Sequence, residues 1–204
     1  MKPRRKEPVM DLSRLPTYGF GPKMTMAWGT LGFILLESTG FAFAAGVYLY
    51  LAVSNDQWPM GGPPPGLLWS SLITVALVAS LIPNHIAKKN AREEKLPQVR
   101  RDLVIMCLAG AVPLILRGFE FTTLYVRWDQ NAYGSIIWIL LSLHTLHLVT
   151  DLADTIVLTV LMFTRHGHGK RFSDVEDNAV YWDFVVISWL PIYALLYVFP
   201  RLMS

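Results

Sequence analysis

Five segments of this chain, at about 28–53, 67–87, 103–126, 133–163 and 179–200, stay apolar along their whole length. Each is long enough to cross roughly 30 Å of hydrocarbon, which takes about 20 helical residues. The runs are continuous rather than alternating, and in lipid a single segment satisfies its own backbone only as a helix, so each is expected to be a transmembrane helix rather than a strand. A chain of 204 residues would ordinarily make one water-soluble domain, but 53% hydrophobic residues, 16% charged residues and a mean hydropathy of +0.38 leave too little charge for a soluble surface. The expected fold is therefore all-α and integral to the membrane, with a tail over 1–27 and a bundle of five transmembrane helices over 28–204. The basic tail is not followed by a short apolar core with a small-residue cleavage site, and it reads as retained rather than as a signal peptide.

The connections are polar or rich in turn formers. "SNDQWPMGGPPPG" carries glycines and prolines that forbid regular structure, and its Trp58 suits a membrane interface. "AKKNAREEKLPQVRR" reads as a solvated charged linker, and "RHGHGKRFSDVEDN" as a polar link whose histidines are exposed rather than zinc ligands. Trp28, Trp58, Trp128, Tyr133, Trp182 and Trp189 are expected mostly to mark span ends. Cys107 is the single cysteine, which excludes an intramolecular disulfide and a paired-cysteine metal site. No internal repeat, phosphate-cradling loop, nucleophile elbow or nucleic-acid surface is visible.

A net charge of +3 hides a strong asymmetry. The tail holds six basic residues (Lys2, Arg4, Arg5, Lys6, Arg14, Lys23), the second connection six (Lys88, Lys89, Arg92, Lys95, Arg100, Arg101) and the fourth three (Arg165, Lys170, Arg171). The first connection has none and the third only Arg127. By the positive-inside rule the N-terminus is expected in the cytoplasm and the C-terminus outside, and the alternation supports five spans independently of hydropathy.

"WILLSLHTLHLVTDLADTIVL" places His144, His147, Asp151 and Asp154 within an apolar run. Their spacing of three, four and three residues puts all four within a helical stripe of roughly 80°. Such a stripe is expected to face protein and find partners there. At about 1.5 Å of rise per residue, Glu37 and Asp154 each lie roughly 14 Å from the same side, Asp151 about 18 Å, Arg117 about 21 Å, His147 about 24 Å and Glu120 about 26 Å. The expected buried network therefore joins Glu37, Arg117, Glu120, His144, His147, Asp151 and Asp154. In it Arg117 pairs with Asp151 or Glu120, His147 donates to Glu120, and Glu37 either bonds to Asp154 or carries a proton, since close carboxylates in a low dielectric do not both ionise cheaply. Two histidines three apart fall short of the three or four convergent ligands a metal wants. His85 is too shallow to join His144 in a bis-histidine haem site, so no metal and no cofactor is expected in this chain.

The run from "RGFEFTTLYVRWDQNAYGSIIWILLSLHTLHLVTD" through "NAVYWDFVVISWLPIYALLYV", together with "WGTLGFILLESTGFAFAAGVYLY", resembles subunit III of the haem-copper cytochrome c oxidases. The likeness rests on a membrane acid in the first span, a Glu shortly after an Arg in the third, two His three apart in the fourth and Tyr-Trp opening the fifth. Longer members of that family have seven spans, and this chain corresponds to the last five. By resemblance Glu37 matches the family's buried carboxylate, Glu120 its third-span acid, and His144 and His147 its histidine pair. Thr145 stands where the family usually has Gly, and Asp183 and Val186 stand where it usually has His and Asp. The resemblance implies a non-catalytic subunit of a respiratory chain complex in the bacterial cytoplasmic membrane. Such a subunit packs on catalytic subunit I and other oxidase subunits, binds phospholipid, and supports proton uptake and stability while oxygen is reduced to water; haem and copper belong to the partner subunits. An accessory subunit of a nitric oxide reductase is the nearest alternative. A stand-alone transporter is a further one, although it would want broken helices and a repeat.

Overall fold

The computed structural model describes residues 21, 25–164, 167 and 169–203. Most of the basic tail lies outside them, as do Arg165, His166 and His168. The described chain is helical throughout, with α1 Thr25–Ser54, α2 Leu67–Arg92, α3 Leu96–Thr122, α4 Ala132–Phe163 and α5 Arg171–Tyr193. A π-helical turn, Ala194–Val198, leads from α5 into the short α6, Phe199–Met203. It lies just beyond Pro191, whose ring removes one backbone donor from the ladder. Among the described residues there are five helices long and apolar enough to cross a membrane, the fifth running from Arg171 to Leu202, and the protein is a multi-pass membrane protein.

The polar side chains exposed on these helices behave as they must in lipid. Thr39 donates to Leu36 O at 2.6 Å and Thr122 to Phe119 O at 2.7 Å, so these exposed hydroxyls are satisfied by their own helices. Large apolar side chains such as Phe43 and Leu36 point outward, as a lipid-facing surface requires.

Helix ends depart from the hydropathy reading. The linker expected over "AKKNAREEKLPQVRR" is a helical hairpin broken only at residues 93–95, where Glu94 takes a left-handed φ of 54° and Lys95 N donates to Asn90 O at 3.1 Å. Lys95 also pairs with Glu93 and holds that exposed carboxyl below its usual range. Likewise α5 begins at Arg171, not 179. The reason is a second small core that charge counting overlooks: Ala91, Val99, Leu103, Leu158, Met162, Phe172 and Val175 pack together where α2, α3, α4 and α5 meet. Its polar fringe is paired, with Asn90 Nδ2 donating to Asp102 Oδ2 at 2.5 Å and Arg92 bridging to the buried Glu176. In contrast α3 stops at Thr122, short of 126.

Within the bundle α2 packs chiefly on α3 and α5, and α3 on α4, while α1 leans on α4 and α5. The α2–α5 seam is a ladder of side-chain hydrogen bonds. Ser71 Oγ meets Tyr193 Oη at 2.9 Å, Trp189 Nε1 donates to Thr74 Oγ1 at 2.8 Å, Trp182 Nε1 to Ser80 Oγ at 2.8 Å, and Asn84 Nδ2 to Ala179 O and Asp183 Oδ1, each at 2.8 Å. Trp182 and Trp189 are thus buried mid-helix rungs, not span-end markers, because an indole N–H in an apolar interior must find an acceptor. Trp58 is also buried, edge-on to Tyr48 and Tyr133, rather than spread on an interface.

Candidate functional site

Two polar clusters lie on either side of Phe41, whose ring sits 6.5 Å from that of His144 and 5.0 Å from that of His147. In the first cluster Arg117 and Glu120 project from one face of α3, three residues apart, and form an ion pair with both side chains at most 2% exposed. Arg117 does not reach Asp151, so of the two acids expected it takes the one on its own helix. Tyr197 Oη donates to the other oxygen of Glu120. His144 Nε2 lies 3.1 Å from Val185 O, a group that can only accept, so Nε2 carries the proton and Nδ1 accepts from Arg117 Nη2 at 3.1 Å. The guanidinium carbon lies over Trp189, 4.2 Å from the ring centroid, and its Nε is buried without a hydrogen-bond partner. The cluster is closed: α3, α4 and α5 each contribute, and nothing in it meets solvent or lipid.

The second cluster centres on Glu37. His147 does not donate to Glu120; its Nε2 lies 3.1 Å from Glu37 Oε1, and its Nδ1 donates to Leu143 O at 2.5 Å. Tyr181 Oη donates to Glu37 Oε2 at 2.8 Å. Glu37 likewise does not reach Asp154. The depth ranking misled because α1 begins at Thr25 rather than 28, which carries Glu37 roughly 4 Å further along its axis and toward the level of His147. With both imidazole nitrogens facing acceptors, His147 and Glu37 share one proton across the 3.1 Å contact, held on the ring or on the carboxyl.

Asp151 and Asp154 continue the stripe but part company. Asp151 is 2% exposed, whereas Asp154, one turn further along α4, is exposed. Asn178 of α5 lies between them, its Nδ2 3.5 Å from Asp151 Oδ1 and 3.2 Å from Asp154 Oδ2, and its Oδ1 accepts from Thr155 at 3.2 Å. Asp151 Oδ2 is buried with no partner, as is Asp177 Oδ2. Glu37, His147, Asp151, Asp154, Asp177, Asn178 and Tyr181 line a cleft of about 1180 Å³ between the first half of α1, the second half of α4 and the first half of α5. Among the described residues no three His, Cys, Asp or Glu side chains converge as a metal would require.

Tyr181, Tyr197, Trp189 and Asn178 were not among the residues expected here. All four lie on the fifth span or its polar entrance, and the available signal was that a hydroxyl, indole or amide on a buried helix face needs a partner. Asp183, standing where a His is usual, bonds to Asn84 and lies 3.8 Å from Lys88 Nζ, which makes it part of the α2–α5 seam.

A family model of cytochrome c oxidase subunit III matches residues 64–201, which takes in α2 to α5. Among curated relatives, the cytochrome c oxidase subunit 3 of Thermostichus vulcanus is 26% identical over 176 residues, covering 85% of this chain and 87% of the relative. The probable cytochrome c oxidase subunit 3 of Mycobacterium tuberculosis is 27% identical over 183 residues, with 82% and 86% covered, and that of Mus musculus is 27% identical over 179 residues, with 84% and 69% covered. With five apolar helices and a buried Arg-Glu-His cluster binding the matched helices together, this chain belongs to the cytochrome c oxidase subunit III family.

Proposed function

We propose that this chain is the non-catalytic subunit III of a haem-copper oxidase in a bacterial cytoplasmic membrane, with its N-terminus on the cytoplasmic side. The observation that carries the reading is the family match over residues 64–201, supported by relatives that each cover more than four fifths of the chain. The subunit packs on the catalytic subunit and other oxidase subunits, where haem and copper reside. Its own residues work by burial. The sealed Arg117 cluster fixes α3, α4 and α5 as a rigid wall, which limits hydration and lipid disorder beside the partner. The Glu37–His147 pair holds a proton in a low-dielectric place, and a titratable pair beside a lipid-lined cleft influences local proton affinity. The cleft itself has the length and apolar walls to hold an acyl chain.

Gentle solubilisation followed by capture of this chain tests the assignment. Haem absorbance and oxygen consumption arriving with the captured chain support it. A colourless, monodisperse protein that carries no other subunit overturns it, and nitric oxide consumption in place of oxygen consumption moves the chain to the reductase.

A further inference from the structure

The polar floor of the α1–α4–α5 cleft holds more acceptors than donors. Five carboxylates line it (Glu37, Asp151, Asp154, Asp174 and Asp177). Glu37 is answered by His147 and Tyr181, and Asp174 by Arg171, whose Nη1 donates to it at 2.8 Å. Asp151 and Asp154 share the single amide of Asn178, and Oδ2 of Asp151, a residue only 2% exposed, has no donor. Lys170 also lines the cleft, but it stands exposed at the start of α5, two turns from Asp177. Neighbouring carboxylates set in an apolar wall call for a cation between them.

The chain brings cations to the rim of this cleft by its own connectivity. Met26 and Gly29 in the first turns of α1 line one end of it, together with Leu161 near the end of α4 and Arg171 at the start of α5. Residues 1–24 therefore lead directly onto that end, and they hold six basic residues against two acids, Glu7 and Asp11. Their Val9, Leu12 and Leu15 match the apolar walls formed by Phe33, Leu146 and Val157. Four residues before α1, Gly21 takes a φ of 61°, the left-handed conformation with which a chain changes direction. Reach selects among the six cations. From Leu161 to Asp151 is about 15 Å along α4. Lys23, two residues before Thr25, has only about 7 Å of backbone in which to turn and descend. Arg14, eleven residues before Thr25, has up to about 36 Å, enough to enter the cleft and double back. The basic residues at positions 2 to 6 also reach, but they close a longer loop at a higher entropic cost.

We propose that the amino-terminal segment of this chain docks in the end of the α1–α4–α5 cleft beside the start of α1, with the Arg14 guanidinium between Asp151 and Asp154. A guanidinium offers five N–H donors in a planar fork, so it satisfies Asp151 Oδ2 and a second carboxylate at once. Docked there, the segment closes that end of the cleft and neutralises acids that hydrocarbon does not tolerate. The docking uses this chain alone and does not depend on the oxidase assignment.

Disulfide trapping in membranes is the test, on the full chain carrying Cys107→Ser, Ser13→Cys beside Arg14, and Val157→Cys on the exposed cleft wall. In the control, Val104→Cys, exposed on α3 and not part of the cleft lining, replaces Val157→Cys. Oxidation with copper phenanthroline should form the intramolecular disulfide to position 157 at least about tenfold faster than to position 104, because docking raises the local thiol concentration. Arg14→Glu should slow the reaction at 157 about tenfold, Arg14→Lys should keep most of the rate, and Asp154→Arg added to Arg14→Glu should restore it. Should Asp154→Arg fail to accumulate, the two Arg14 substitutions decide the matter, since that residue precedes all five spans. Equal rates at 157 and 104 leave the cleft to lipid or another subunit and overturn the docking. A rate unchanged by Arg14→Glu, or a disulfide formed only between two chains, overturns it as well. Haem co-purification is scored on the same preparations, so loss of cross-linking with haem still bound removes the docking and leaves the oxidase assignment standing.

Discussion

The Arg117 cluster and the Glu37 cleft use the same kinds of side chain and arrive at opposite states. In the first, a cation, an acid, a neutral imidazole, a phenol and an indole leave only Arg117 Nε without a hydrogen bond, and the guanidinium it belongs to stands over an aromatic ring. In the second, acids outnumber their donors and the side toward lipid stays open. The difference is one of enclosure. Arg117 is enclosed by side chains of α3, α4 and α5, with α4 packed on both of the others, whereas the acids beyond Glu37 line an open cleft beside α1. A closed polar cluster in a membrane protein fixes architecture, and an open one is where exchange with the surroundings takes place.

The sharpest way to break the contrast is Arg117→Met, which leaves Glu120 buried and unpaired. It should cost about 3 to 5 kcal/mol, read as loss of accumulated folded subunit, and Glu120→Gln in the same chain should recover part of it. Trp189→Phe removes both the donor to Thr74 and the best face for the guanidinium. A loss of about 1 to 3 kcal/mol is expected in thermal unfolding of the assembled complex. Glu37→Gln keeps an acceptor for Tyr181 and offers an amide N–H to His147 Nε2, whose ring proton sits on Nδ1, and should cost only about 1 kcal/mol. Haem content and assembly should be unchanged while turnover stability or proton uptake shifts; haem loss in this variant would place Glu37 among the architectural residues instead. Asp154→Asn should alter thermal stability by less than about 0.5 kcal/mol, and a larger effect would mean that the cleft is closed in the assembly.

Much of this was readable from residues. Five apolar runs specify five helices because lipid leaves the backbone no alternative, and the Arg117–Glu120 spacing places both groups on one face of α3. Three things were hidden for physical reasons. Charge-rich segments such as 88–101 look solvated, yet Ala91 near the end of α2 and Val99 near the start of α3 pack together, and with Asn90 and Asp102 they make an ordered collar, a pattern that charge counting averages away. The pairing of His147 with Glu37 depends on where α1 begins and how it leans, and hydropathy does not locate a helix end to within a turn. Tyr181 and Tyr197 were passed over because tyrosine in a span suggests an interface anchor first, although both send a hydroxyl to a buried acid.

The rungs joining α2 to α5 also set what this molecule can do mechanically. Serine, threonine and asparagine on one strut each meet a differently sized partner on the other, so a slip of one helical turn, about 5.4 Å, would mismatch every rung at once. Those two struts act as a keyed pair that resists sliding.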